Sequence, residues 1–248
     1  MVVLALLVVG GGAAAWAFFL RGDDVAPLSL PSSAPLGSSA PSGAPGSAGA
    51  SGATTSLPPA SAASIDAASI PGTWSIGSDS VVGYRVRERL ANLAADSDAV
   101  GRTSSITGTA TIAASGSAQT VNAATFSVDM TTVKSDRPMR DNRLRNDGIQ
   151  TDTFPTSTFK LTTPVVLPAE ATTGAQVSVT LHGDLTLHGV TKTVDIPARA
   201  QLNGSVIQIL GSLDFPFSDY SISAPNIGGF VAVEDHGTLE FLVNLTKG

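Results

Sequence analysis

From Val177 onward the chain alternates apolar and polar residues with a period of two. Val177, Val179, Leu181, Leu185 and Leu187 hold odd positions, whereas Val194, Ile196, Ala198, Ala200 and Leu202 hold even ones. A period of two puts each set on one face of a strand, and His188-Gly189, where the parity switches, predicts the tight turn of a β-hairpin. The same half-buried pattern marks Trp74 and Ile76, then Val82, Tyr84 and Val86, then Ile106, Ala110 and Ile112. It returns in Phe126, Val128 and Met130, in Phe159 and Leu161, in Ile207 through Phe217, and in Leu239, Phe241, Val243 and Leu245. About eight strands joined by short turns predict one all-β domain over residues 71–248, with an antiparallel sheet that closes into a barrel or folds as a sandwich. Alternation alone does not choose between the two.

One helix interrupts the strands, from Arg137 to Asp147. Pro138 stands at an early position and Gly148 just past the end, an arrangement that suits a helix start and stop, and Ser135 or Asp136 is placed to cap it. Met139 and Leu144 are its only large apolar residues, so it is expected at an edge or as a lid. Lys134, Arg137, Arg140, Arg143 and Arg145 make it locally basic beside Asp136, Asp141 and Asp147. Two readings fit: a solvated helix laced with i,i+4 ion pairs, or a patch in which Arg137, Arg140 and Arg143 meet anionic head groups.

The first seventy residues follow neither period. Val2 to Leu20 is one apolar run, and about nineteen helical residues at 1.5 Å each come to about 28 Å, close to the hydrocarbon thickness of a bilayer. Residues 1–21 therefore read as a transmembrane anchor or a signal segment. No Lys or Arg precedes the run, and Ala13-Ala14-Ala15 lies inside it rather than after it, which favours an uncleaved anchor. Residues 22–70, rich in Ala, Ser, Gly and Pro, lack the apolar content to offset ordering entropy and are predicted to be a disordered linker.

Composition then removes several classes of function. Cysteine is absent, which excludes disulfides, thiolate metal sites and an acyl-cysteine anchor. The net charge of −6 gives no electrostatic support for nucleic-acid binding. No nucleophile elbow, phosphate loop or Ser/His/Asp spacing is present.

Four phrases in order bear a likeness to a known family. They are Trp74-Ser75-Ile76 leading to Val82-Tyr84-Val86, Thr132-Val133-Lys134-Ser135-Asp136-Arg137 through Leu144, Phe154-Pro155-Thr156-Ser157-Thr158-Phe159, and the hairpin phrase Gly183-Asp184-Leu185-Thr186-Leu187-His188-Gly189-Val190-Thr191-Lys192. Together they resemble the YceI-like family, described as lipocalin-like barrels that bind polyisoprenoid lipids. The resemblance implies an antiparallel eight-stranded lipocalin-like barrel with one short helix. It further implies a non-catalytic protein that binds, sequesters or transports an isoprenoid-type lipid, needs no other cofactor, and sits in a bacterial cell envelope. A membrane-anchored, extracytoplasmic barrel is the expected localisation, secreted if the N-terminal segment is cleaved, and a homodimer is left open. Two places depart from the family: Arg87-Glu88-Arg89 replaces a usual His at the end of the second strand, and Phe215-Pro216-Phe217-Ser218-Asp219-Tyr220 replaces an Arg-x-Asp-Phe-Gly-like phrase.

By parity, Tyr84, Val86, Phe126, Phe159, Leu185, Phe215, Phe217 and Phe230 are the candidates to line an apolar interior, against the plainer reading that they fill a core. A different class of function, a metal-dependent enzyme, would use His182, Asp184 and His188, which share one strand face. That face is opposite in parity to Leu181, Leu185 and Leu187, so it should point to solvent, and no metal is expected. A ligand-free structural module on a stalk is the third reading.

Overall fold

A computed structural model describes residues 25–31, 67–90, 97–115, 118–224, 226–227 and 231–248. The apolar run, most of the linker and Phe230 lie outside the described residues. In chain order the elements are β1 (Gly72–Ile76), β2 (Val81–Leu90), β3 (Ser97–Thr103), β4 (Ile106–Ser115), β5 (Ala118–Asp129) and β6 (Lys134–Ser135). They continue with α1 (Pro138–Asn146), β7 (Thr156–Leu161), β8 (Val165–Leu167), β9 (Val177–Leu187) and β10 (Val190–Asn203). The last are β11 (Val206–Pro216), β12 (Asn226–Ile227), β13 (Val231–Val233) and β14 (His236–Lys247).

The sheet runs β1-β4-β5-β7-β9-β10-β11-β14, all antiparallel, and β1 pairs back onto β14, so the eight-stranded barrel is closed. Closure removes the free edges that an open sheet would expose. β2 extends β1 along β14 and carries β3 on its other side, which lengthens the wall at one end.

The hairpin follows the sequence pattern. Val190 pairs with Leu187 across a two-residue turn. His188 and Gly189 take φ of 51° and 72°, the left-handed pair that a tight hairpin with right-twisted strands requires. Gly189 is also held by space, because a Cβ there would stand 2.7 Å from the Phe154 ring.

The inward faces form two apolar clusters stacked along the barrel axis. One, around Trp74, Ala110, Ile112, Leu202 and Leu245, fills the end where the chain enters. There a 3-10 turn at Ala67–Ser69 leads to buried Ile70, whose carbonyl accepts from Trp74 Nε1 at 2.8 Å. The other, around Met130, Val133, Ile149, Leu185, Leu187, Phe217 and Tyr220, lies at the opposite end. α1 belongs to this second end, carried there by β6, which pairs with β3.

One expectation is corrected. Arg137, not Ser135 or Asp136, occupies the helix N-cap and makes no side-chain cap bond. Ser135 is instead gripped by Asp141, whose carboxylate accepts from its amide at 2.8 Å and its hydroxyl at 2.7 Å. Within the stretch read as linker, Val25–Pro31 lies against the outer wall of the barrel: Arg85 donates to the Val25 carbonyl at 2.9 Å, Arg102 to Ala26 at 2.7 Å, and Gln201 to Pro31 at 3.3 Å.

Candidate functional site

The barrel encloses two apolar cavities. The upper one, about 120 Å³, is lined by side chains such as Tyr84, Phe126, Met130, Leu185, Phe215 and Phe241. The lower one, about 80 Å³, includes Ile112, Leu161, Val177, Leu202 and Leu245. Phe126, Phe159, Leu181 and Ile209 border both and form a waist between them. Phe126 and Phe159 are cross-strand partners, so two rings from adjacent strands meet at one level. Gly183 makes room for the second ring: a Cβ there would stand 2.5 Å from Phe159.

Of the residues singled out by parity, Tyr84, Phe126, Phe159, Leu185 and Phe215 line the upper cavity. Val86 and Phe217 pack in the cluster that surrounds it, and both approach Gly237. Leu187, Ile196, Ile209, Leu239 and Val243 also face the cavity. Their alternation was visible in the sequence. Val133 and Ile149 face it too, from the irregular segments that flank α1, where no periodicity could single them out.

One polar group of residues lies beside the upper cavity. Tyr84 points its phenol there, buried and without a hydrogen-bond partner among the described residues. Burial holds that phenol well above its usual pKa, outweighing the opposing pull of Arg140. Arg140 is half sunk beside it. Burial works against its charge, and the hydrogen bond and charge of Glu88, with Asp136, more than restore it. The Arg140 guanidinium reaches Glu88 at 3.2 Å and also bonds Asp136. Glu88, through Arg140, and the Phe215–Tyr220 segment both belong to this end of the barrel. Phe215 meets Tyr220 edge-on at 5.2 Å and Phe217 at 6.2 Å.

The other arginines of α1 are also matched. Arg137 lies 3.3 Å from Asp136, Arg143 3.9 Å from Asp147, and Arg145 3.8 Å from Asp152. This is the arrangement of a solvated, ion-paired helix. Met139 on the same helix is 71% exposed.

His182, Asp184 and His188 do not converge. His182 bonds Asp195 at 2.6 Å, and Asp184 accepts from the Thr193 hydroxyl at 2.7 Å, both on the outer wall. His188 turns the other way, with Nδ1 on the Tyr220 carbonyl at 2.9 Å and its ring against Phe154. Its turn conformation carries it off the face of the other two. Among the described residues no group of three or more His, Asp or Glu is placed to hold a metal ion.

A family model described as YceI-like domain matches residues 75–245. Among solved structures, a polyisoprenoid binding domain from Saccharophagus degradans implicated in plant cell wall breakdown aligns at 18% identity, over 72% of this chain and 99% of that one, with a TM-score of 0.54. Burkholderia cenocepacia BcnA aligns at 18% identity over 66% and 95% of the two chains, TM-score 0.47. A Campylobacter jejuni YCEI protein aligns at 15% identity over 58% and 83%, TM-score 0.41. At these identities the first likeness shows the fold alone. No curated protein matches the chain.

Proposed function

The chain belongs to the YceI-like domain family, and from that premise we propose that its barrel binds a long apolar lipid of isoprenoid type, to sequester or carry it, without catalysing a reaction on it. The observation that carries this reading is the pair of stacked cavities, whose walls are almost entirely apolar from Met130 at one end to Leu245 at the other. Burial of apolar surface at about 25 cal/mol per Å² is the driving force such walls can supply. The polyisoprenoid binding domain to which the chain is structurally similar supports the choice of ligand class.

A pocket for a drug-sized ligand holds about 300–1,000 Å³, more than either cavity. Binding a multi-unit chain therefore requires the Phe126 and Phe159 rings to turn aside and join the two spaces. Tyr84, Leu185 and Phe215 then flank the upper part of the chain. In this reading the apolar run of residues 2–20 anchors an extracytoplasmic barrel to a membrane, from which the lipid is drawn. Among the described residues no helix is long and apolar enough to cross a membrane, and the run itself lies outside them.

Titrating the purified protein with prenyl alcohols of increasing length tests the proposal. Saturable binding that tightens with length and is weakened by Phe159→Trp, which blocks the waist, is the expected result. Affinity that ignores both length and the waist would refute it.

A further inference from the structure

The chain enters the barrel at the end remote from α1, yet the segment next to the apolar run is fastened on the α1 side. Entry is fixed by Ile70 and by Lys247, which donates to the carbonyls of Ser69 at 2.6 Å and Pro71 at 2.7 Å. Val25–Pro31 lies outside the wall and crosses it obliquely. Its first carbonyls, Val25 and Ala26, are held by Arg85 and Arg102. Arg85 follows Tyr84 directly in β2, and Arg102 pairs in register with Lys134 of β6, the strand that leads to α1. Its last carbonyl, Pro31, is held by Gln201, whose neighbours Ala200 and Leu202 line the lower cavity.

The contact is built into the wall. Glu240, 5% exposed, fixes Arg102 at 2.7 Å and sits 3.6 Å from Arg85, while Asp98 takes the other nitrogen of Arg85 at 3.1 Å. Pro27 and Leu28 share a groove with Pro197, Arg199 and Leu210, and Leu210, though outward in register with Arg199, is buried. Gln201, Gln208 and Asn244 form a buried hydrogen-bonded row on the same outer face, at 2.8 and 3.1 Å.

We propose that Val25–Pro31 is an orienting strap that turns the α1 end of the barrel toward the membrane surface. The inference rests on the anchoring role given above to residues 2–20. Between Leu20 and Val25 the chain can extend by no more than about 18 Å, at about 3.3–3.6 Å per residue. Without the strap, the tether would run from Leu20 to Ile70. A flexible coil of about fifty residues has a root-mean-square span of about 35–42 Å, and it would be joined to the end opposite α1. The strap thus replaces a long tether at the far end with a short one on the α1 side. Met139, exposed on α1, is then the large exposed apolar residue on the membrane side among the described residues.

The test uses the full chain in phosphatidylcholine vesicles. Because the chain has no cysteine, single labels can be placed at Met139→Cys, on α1, and at Val166→Cys, on the strand beside the lower cavity. β14 spans twelve residues, and at about 3.3 Å per residue with a tilt of about 40° the barrel ends lie on the order of 30 Å apart. Energy transfer to an acceptor in the lipid head groups should find the Met139 label nearer the bilayer than the Val166 label by a distance of that order. Replacing residues 25–31 by Gly and Ser at equal length should abolish the difference. Leu28→Asp with Leu30→Asp, which leaves the barrel wall untouched, should do the same. Equal distances in the unaltered chain, or a difference that survives both replacements, would overturn the strap while leaving the anchor intact. Failure of the chain to float with vesicles would overturn both.

Discussion

A carboxylate placed on the inner face of β9 should report its position through pH. Leu185 is 3% exposed and faces the upper cavity, where its neighbours are Phe159, Leu187 and Ile196. An Asp in its place finds no cation in that lining, and the nearby Ser157 hydroxyl is already given to the Thr186 carbonyl at 2.8 Å. Kept neutral by a pKa raised about 4 units, it costs about 4 kcal/mol at pH 7, and the lost leucine burial adds about 2–3 kcal/mol. The total is comparable with the 5–15 kcal/mol that a domain of this kind has to spare. Because the folded state then binds a proton that the unfolded state has released, stability falls as pH rises above about 4, by about 1.4 kcal/mol per unit, until the raised pKa is passed. Urea unfolding of Leu185→Asp from pH 4 to 8 should show that slope, whereas Thr186→Asp, on the outer wall beside Thr191, should show none. Equal and pH-independent stability in the two variants would refute the inward assignment of the odd residues.

The other predictions test the waist, the phenols and the turn. Phe159→Ala should cost about 3–5 kcal/mol in the lipid-free protein and raise the amount of long-chain lipid bound, read by denaturation and by binding of prenyl alcohols. Tyr220, pushed up to about 12 by burial and by Asp219, and Tyr84, held higher still by burial, both stay protonated in the folded state above their unfolded value. Stability should therefore be intact below pH 10 and fall from about 10 to 12, with Tyr220→Phe removing part of the slope in an alkaline unfolding curve. Gly189→Ala combines a positive φ with a clash against Phe154. It should lower stability by about 1–3 kcal/mol without altering which lipid is bound.

The hairpin was legible because one tight turn separates two long runs of strict alternation, and inward residues such as Leu185 and Ile196 follow directly from parity. The aromatic waist was half legible. Phe126 and Phe159 were visible as inward positions, but their cross-strand pairing depends on a register that no local signal encodes. β3 escaped notice because Ser97–Thr103 mixes Asp98, Gly101 and Arg102 with small residues. There Gly101 yields its inward space to the Tyr84 ring, so a strand without an apolar stripe still serves the core. The charge of α1 was legible, but its balance was not, since Glu88 reaches Arg140 from a strand far away in sequence. The strap was hidden for a different reason. Arg85, Arg102 and Gln201 bind main-chain carbonyls, and the strap's few large apolar residues, Val25, Leu28 and Leu30, follow neither strand nor helix period.

The central claim is that the stacked cavities hold an isoprenoid-type lipid. Organic extraction of the full-length protein purified from its native membranes, followed by mass spectrometry of the extract and metal analysis of the protein, addresses it most directly. The account predicts a polyprenyl lipid at up to one molecule per barrel, with no stoichiometric zinc, and its loss in Leu185→Asp. A barrel that yields no apolar lipid, or one that carries stoichiometric zinc lost on replacing His182, Asp184 and His188 by Ala, would contradict it.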